Sequence, residues 1–115
     1  MRIDVRGRNV EVSDELREAV LSRFKRVGKQ VSSLAQLEVE LSEERNPRIR
    51  DKEVAEATLY LKGTTLRAKE CSPDMLHSIH ELAEDIRRQV KKHREKRRGR
   101  ERTRRVIARM RSRSA

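Results

Sequence analysis

Apolar and polar residues alternate in four short stretches of the chain. These stretches are residues 2–7, 37–41, 55–61 and 65–71. A two-residue period places successive side chains on opposite faces of an extended strand, so it predicts four half-buried β-strands. Asn46-Pro47 predicts a polar loop between the second and third strands, and Gly63-Thr64 predicts a tight turn before the fourth.

Two longer stretches repeat their apolar residues every three or four positions, which predicts amphipathic helices. The first helix is expected to start at Ser13, and its apolar residues are Leu16, Val20, Phe24, Val27 and Val31. The second follows Ser72-Pro73-Asp74, a sequence typical of a helix start. Its apolar residues are Met75, Ile79, Leu82, Ala83, Ile86 and Val90. We expect it to end near Gly99, because glycine weakens helices.

The predicted order of elements is β-α-β-β-β-α. A sheet with one polar face and two amphipathic helices predicts an α+β fold, with both helices packed on one face of a four-stranded sheet. Residues 1–98 would form one domain. Residues 99–115 are expected to be a basic extension, disordered when free or the start of a linker, because like charges repel and almost nothing in the segment can be buried.

The positive charge of the chain is concentrated at one end. Residues 1–86 contain 15 Lys and Arg against 17 Asp and Glu, a balance of −2, whereas residues 87–115 contain 15 against 2, a balance of +13. A basic block of this kind is typical of proteins that bind polyanions. A membrane-surface helix would carry large apolar residues opposite its cations, and few are present beyond Val90, so nucleic acid is favoured.

The basic residues of the second helix fall on two sides of its apolar stripe. Arg87, Lys91, Arg94 and Arg98 follow one flank, while Arg88 and Lys92 lie on the far side. The predicted outer face of the sheet is acidic and would repel RNA, which leaves the helices and the Arg67/Lys69 edge for binding. Because the aromatic residues are only Phe24 and Tyr60, we expect recognition of phosphates and shape rather than stacking of bases.

Several other classes of function are disfavoured. No apolar run approaches the ~20 residues of a membrane span, and charged residues interrupt any signal-peptide core. The single cysteine, Cys71, fits a reducing cytoplasm. His77 and His80 lie within metal-ligand reach on a helix, but no further ligand completes a familiar site, so exposed histidines are the better interpretation. We expect no enzymatic activity, cofactor, metal or small-molecule substrate.

The order of elements and five local motifs resemble one known family. The motifs are residues 7–14 (GRNVEVSD), 54–58 (VAEAT), 66–68 (LRA), 74–75 (DM) and 88–93 (RQVKKH). In these the chain resembles the N-terminal ribosome-binding domain of the ribosome hibernation promoting factors, also called the ribosome-associated inhibitor or protein Y family. The resemblance implies a fold similar to double-stranded-RNA-binding domains. It also implies a cytoplasmic inhibitor of translation that lies between the head and body of the small ribosomal subunit.

The family contacts 16S-type ribosomal RNA and occupies the space of messenger RNA and of transfer RNA in the A and P sites. Five basic residues match family contact positions, namely Arg23, Arg26, Lys29, Arg88 and Lys92. Together with the residues chosen from the charge pattern, the predicted RNA-binding set is Arg23, Arg26, Lys29, Arg67, Lys69, Arg87, Arg88, Lys91, Lys92, Arg94 and Arg98.

The chain departs from the family pattern in three ways. Asp85 stands where a basic residue is common, Leu76 replaces a frequent tyrosine, and residues 1–115 do not include the second, dimerising domain that long family members carry. Two alternatives therefore remain open. The chain could be a generic module for structured RNA, or the N-terminal part of a longer factor that dimerises ribosomes, with its basic end serving as a linker. A homodimer would be expected only with that further domain.

Overall fold

The computed structural model describes residues 1–113 as a four-stranded sheet with helices on one face. The strands are β1 (Arg2–Gly7), β2 (Gln36–Glu43), β3 (Glu53–Leu61) and β4 (Thr64–Ser72). The helices are α1 (Asp14–Arg23), α2 (Lys25–Gln30) and α3 (Met75–Arg113). The predicted α+β class and order of elements are confirmed, except that the first helical segment is divided in two at Phe24.

The strands lie in the order β1-β2-β3-β4. β1 runs parallel to β2, whereas β2–β3 and β3–β4 are antiparallel pairs. A parallel pair needs a crossover, and α1 with α2 supplies it. The alternation in sequence therefore becomes a sheet with an apolar inner face beneath the helices and a polar outer face.

The core lies between the sheet and the helices. Its fully buried side chains include Phe24 from the crossover, Leu37 and Leu59 from the sheet, and Ile79 and Ile86 from α3. These residues are on the apolar stripes that the sequence predicts. Burial of each large side chain contributes about 1.5–3 kcal/mol to the hydrophobic stabilisation.

The turn that follows β1 is hydrogen-bonded to Glu43, the last residue of β2. The carboxamide of Asn9 donates to the backbone oxygen of Glu43 and accepts from its backbone nitrogen, both at 2.7 Å. The Asn9 side chain thus makes the two hydrogen bonds to Glu43 that the backbone of a neighbouring strand would make, at the point where the chain turns away from the sheet. Gly7 is required there, since a Cβ on it would collide with the carbonyl oxygen of Val10.

A buried hydroxyl network fixes the start of α3. Ser72 and Ser78 are 6% and 0% exposed, and their Oγ atoms are 2.6 Å apart. Ser78 also donates to the backbone oxygen of Glu53 at 2.7 Å, which ties α3 to the first residue of β3. The network sets the direction in which α3 leaves the sheet.

α3 is longer than the sequence predicts. The expected end at Gly99 is wrong, because the helix continues to Arg113, and residues 99–113 are helical rather than irregular. One glycine weakens a helix by about 1 kcal/mol, whereas the arginine, alanine, methionine and glutamate around it favour helix. Val90 is the last buried residue among residues 1–111, so the 23 helical residues from Lys91 to Arg113 extend about 34 Å beyond it. Residues 114–115 of the predicted extension lie outside the described part.

Within residues 1–113, no helix has the length and apolar character needed to cross a bilayer.

Candidate nucleic-acid interface

The crossover helices expose three of the predicted cations. Arg23 is the last residue of α1, and Arg26 and Lys29 lie in α2; all three are exposed. The buried side chains of Phe24 and Val27 anchor the same short segment in the core. Among residues 1–113, the observed salt bridges include none of these three cations, so their charges are available to an anionic partner.

α3 contributes the larger number of the predicted binding cations that are exposed. They are Arg88, Lys91, Lys92, Arg94 and Arg98. In the described part of the chain, none of the five takes part in an observed salt bridge. Glu95 and Glu101 are the only carboxylates in the sequence after Asp85, so α3 remains strongly positive along its exposed length.

Arg87 differs from the other predicted cations on α3. It is half-buried, and its Nη2 lies 2.8 Å from Oε2 of Glu84, one helical turn earlier. Its Nε is buried without a hydrogen-bond partner in the described structure. The guanidinium is thus partly neutralised and held against the protein, so it is less available to RNA than Arg88.

Arg67 and Lys69 lie on the other side of the sheet. Their neighbours Leu66 and Ala68 pack against the core, so the alternation of β4 turns Arg67 and Lys69 to the outer face. Lys69 Nζ is 3.5 Å from Oε1 of Glu56, which faces the same way. The structure therefore separates these two predicted residues from the nine on the helical layer.

The centre of the outer face is acidic. Glu38 and Glu40 of β2 lie there, with Glu40 Oε2 3.0 Å from Nε of Arg6 and Glu38 accepting a 3.3 Å hydrogen bond from the hydroxyl of Tyr60. Two cations at the edges of this face, Arg6 and Lys69, are thus paired with carboxylates. A phosphate backbone would meet more repulsion here than on the helical layer.

A carboxylate cluster borders α3 on the β4 side. Burial, a hydrogen bond with Asp85, and the charges of Asp85 and Glu81 raise the pKa of Glu70, while Arg88 acts in the opposite direction. Asp85 also accepts a 3.0 Å hydrogen bond from Nε2 of Gln89, which donates to the backbone oxygen of Arg67 at 2.8 Å. Asp85 thus has a structural role in attaching α3 to β4. Its flank carries several carboxylates and is unsuited to phosphate, whereas Arg88 and most of the residues beyond it on α3 are basic or uncharged.

Comparison with known proteins identifies the family. Residues 3–98 match the family described as "Sigma 54 modulation protein / S30EA ribosomal protein". The chain belongs to this family. The match includes both crossover helices and α3 as far as Arg98, so it contains every residue of the predicted interface.

Its relatives are named as ribosome hibernation factors rather than as enzymes. The chain is 35% identical over 97 residues to the ribosome hibernation promotion factor of Picosynechococcus sp., a match covering 84% of this chain and 50% of that protein. It is 30% identical over 96 residues to the ribosome hibernation promoting factor of Escherichia coli, covering 84% and 96%. The chain thus spans about half the length of the first relative and nearly all of the second.

Solved structures of the family share the fold. The N-terminal domain of Thermus thermophilus protein Y superposes with a TM-score of 0.70 at 26% identity, covering 81% of this chain and 99% of that one. A ribosomal subunit interface protein from Coxiella burnetii also gives 0.70, at 23% identity, and supports the fold alone. The resemblance inferred from the five motifs is confirmed.

Two cations and a histidine near the open end of the sandwich were not predicted from the sequence as site residues. Lys62 lies in the turn between β3 and β4, and His93 and Arg97 lie on α3. His93 and Arg97 follow Val90 by three and seven residues, so they continue the direction of the apolar stripe past its last buried member. This helical spacing could have identified His93 and Arg97 from the sequence. Within residues 1–113, no group of three or more histidine, cysteine or acidic side chains is arranged to hold a metal ion.

Proposed function

We propose that this chain is a ribosome hibernation factor that binds the small ribosomal subunit at the decoding region. Binding excludes messenger RNA and transfer RNA from the A and P sites and so inhibits translation. The mechanism needs no turnover, cofactor or metal. The protein acts in the cytoplasm, where its target is found.

The observation that carries the proposal is the placement of free cations within the family match. Arg26 and Lys29 on α2, and Arg88 and Lys92 on α3, are exposed and take part in none of the observed salt bridges of residues 1–113. Phosphate oxygens are the natural partners of such groups, and contacts to them position a protein on RNA. The opposite face of the sheet offers carboxylates instead.

Co-sedimentation with purified small subunits tests the proposal. The variant Arg88→Glu/Lys92→Glu should lose at least tenfold in affinity in moderate salt, because two attractions to phosphate become repulsions. Arg48→Glu/Arg50→Glu is the matched control. It lowers the net charge of +11 by the same four units, but its exposed residues lie in the β2–β3 loop, beside the start of α3.

The two variants separate the possible results. Loss of binding in the α3 variant alone supports the proposed interface. Equal loss in both would indicate dependence on net charge only, as expected of a generic RNA-binding module. Full retention in both would contradict the assignment of α3.

A further inference from the structure

A cleft opens at the end of the sandwich where α3 leaves the core. Its volume is about 630 Å³, within the range of ~300–1,000 Å³ typical of small-ligand sites. The end of α2, the segment before β2, the β3–β4 turn and α3 form its walls. Its lining includes Leu34, Tyr60, Lys62, Val90, Arg94 and Arg97.

The cleft combines an apolar floor with a cationic rim. Val90 and Ala35 are buried at its base, while Leu34 is 91% exposed and Tyr60 is 41% exposed. Lys62, Arg94 and Arg97 supply positive charge. No carboxylate belongs to the lining itself in the described part of the chain, but two lining side chains are bonded to carboxylates beside the cleft. The Tyr60 hydroxyl donates to Glu38 at 3.3 Å and the Gln36 amide donates to Asp4 at 3.2 Å. A ligand that fits must therefore present an apolar surface and a negative charge close together.

We infer that this cleft receives one unpaired nucleotide of the RNA bound by the helical layer. The base would lie against Tyr60 and Leu34, and its phosphates would pair with Arg94 and Arg97. Aromatic rings and guanidinium planes stack bases, and unpaired nucleotides are the usual targets of such pockets. This subsite would be a single exception to the expectation, drawn from the scarcity of aromatic residues, that the chain recognises phosphates and shape rather than stacked bases. The inference rests on the proposed function, and adds to it a base-binding subsite beside a phosphate-binding surface.

Two features favour a nucleotide over an acidic peptide. First, the side-chain amide of Gln30 and the imidazole of His93 line the cleft, and these groups can both donate to and accept from a base edge. Second, the cleft is continuous with the candidate interface. Gln30 directly follows Lys29, and Arg94 belongs to both surfaces.

The test uses the full chain and a five-nucleotide single-stranded RNA with one fluorescent 2-aminopurine base. Tyr60→Leu removes the ring but keeps apolar bulk, and we expect it to weaken binding about tenfold, since loss of one stacked base is worth ~1–3 kcal/mol, or roughly 5- to 150-fold. Arg97→Ala should weaken binding several-fold. Lys96→Ala is the matched control, because it removes the same charge from an exposed position of α3 outside the cleft.

Three outcomes would overturn the subsite. The first is equal affinity of the protein for the same oligonucleotide without the 2-aminopurine base. The second is an equal loss of RNA affinity in Lys96→Ala and Arg97→Ala. The third is displacement of the RNA by an acidic leucine-containing peptide that binds more tightly. Co-sedimentation with small subunits keeps this inference distinct from the proposed function. If Tyr60→Leu and Arg97→Ala bind subunits as the wild type does, the subsite is wrong and the proposed function is unaffected. If the wild type does not bind subunits at all, the proposed function is wrong.

Discussion

Residues 75–90 and 91–113 belong to the same helix, α3, but differ in their surroundings. The first part buries six apolar side chains and carries two arginines against three acids, a net charge of −1. The second carries 13 Lys and Arg against two acids, a net charge of +11. Over residues 91–111 it has no buried residue. Buried apolar area is therefore concentrated in the first part and positive charge in the second. The packed part sets the direction in which the charged part projects, and the proposed RNA-binding surface uses the second part together with Arg88, near the end of the first.

The largest expected effect comes from one substitution made in each part. Ile86 is fully buried and Ile107 is 44% exposed. Ile86→Ala should lower the free energy of unfolding by about 2–5 kcal/mol, because it leaves a cavity in the core. Ile107→Ala should change it by less than about 0.5 kcal/mol. Urea denaturation measures both, and a comparable loss in the two variants would show that the projecting part is packed.

Removal of the projecting end should affect binding without unfolding the domain. Truncation after Arg98 keeps every core residue, since Val90 is the last of them, but removes seven arginines. We expect about tenfold weaker binding to small subunits and a shallower dependence of affinity on salt, because each phosphate contact contributes a slope of about −0.7 to −0.9. Titrations at several salt concentrations measure both quantities. An unchanged affinity would instead favour a linker role for this segment.

Substitution of two glycines should give a smaller difference in stability between the packed domain and the projecting part of α3. Gly63 has a φ of 79° in the β3–β4 turn, so Gly63→Ala should lower the free energy of unfolding by about 1 kcal/mol. A Cβ on Gly99 would meet no atom within 4 Å. Gly99→Ala should therefore leave the unfolding transition unchanged and increase the helical signal in circular dichroism. Destabilisation by Gly99→Ala would contradict the exposed environment of this segment.

The smallest expected effect is a pH dependence of the stability of the fold, caused by Glu70 at the junction of α3 with β4. The pKa of Glu70 is raised mainly by burial, with Asp85 and Glu81 adding to the effect. The folded state then binds this proton more tightly than the unfolded state. Ionised Glu70 therefore destabilises the fold as the pH rises above the ordinary glutamate pKa of about 4.5. Glu70→Gln should raise the unfolding temperature at pH 7 and lose that advantage near pH 3. The exposed Glu11→Gln serves as control, and a gain at pH 3 equal to that at pH 7 would exclude this cause.

Local patterns were sufficient to predict the sheet and the helix starts. Alternation at Leu37 and Val39 placed β2 correctly, and Ser13 caps α1, its Oγ accepting from the backbone nitrogen of Leu16 at 3.2 Å. The break at Phe24 was not predictable, because the apolar spacing continues through it and only the backbone angles show the change. The length of α3 was underestimated because one glycine was given more weight than the helix formers around it.

The candidate interface was predicted less completely than the fold. Exposure of Arg26, Arg88 and Lys92 follows from helical periodicity, and the structure agrees. The involvement of Arg87 with Glu84 depends on side-chain geometry that no spacing rule supplies. The cleft at the end of the sandwich is lined by three segments far apart in sequence, residues 30–36, 60–62 and 90–97, so it could be found only from the fold.

Competition with transfer RNA on the small subunit tests the central claim most directly. Fluorescent transfer RNA would be bound to purified small subunits with a short messenger RNA, and the protein then added in increasing amounts. The proposal predicts that one protein per subunit releases the transfer RNA, and that Arg88→Glu/Lys92→Glu fails to do so while Arg48→Glu/Arg50→Glu succeeds. Sedimentation of protein and transfer RNA together on the same subunits would contradict exclusion from the decoding region.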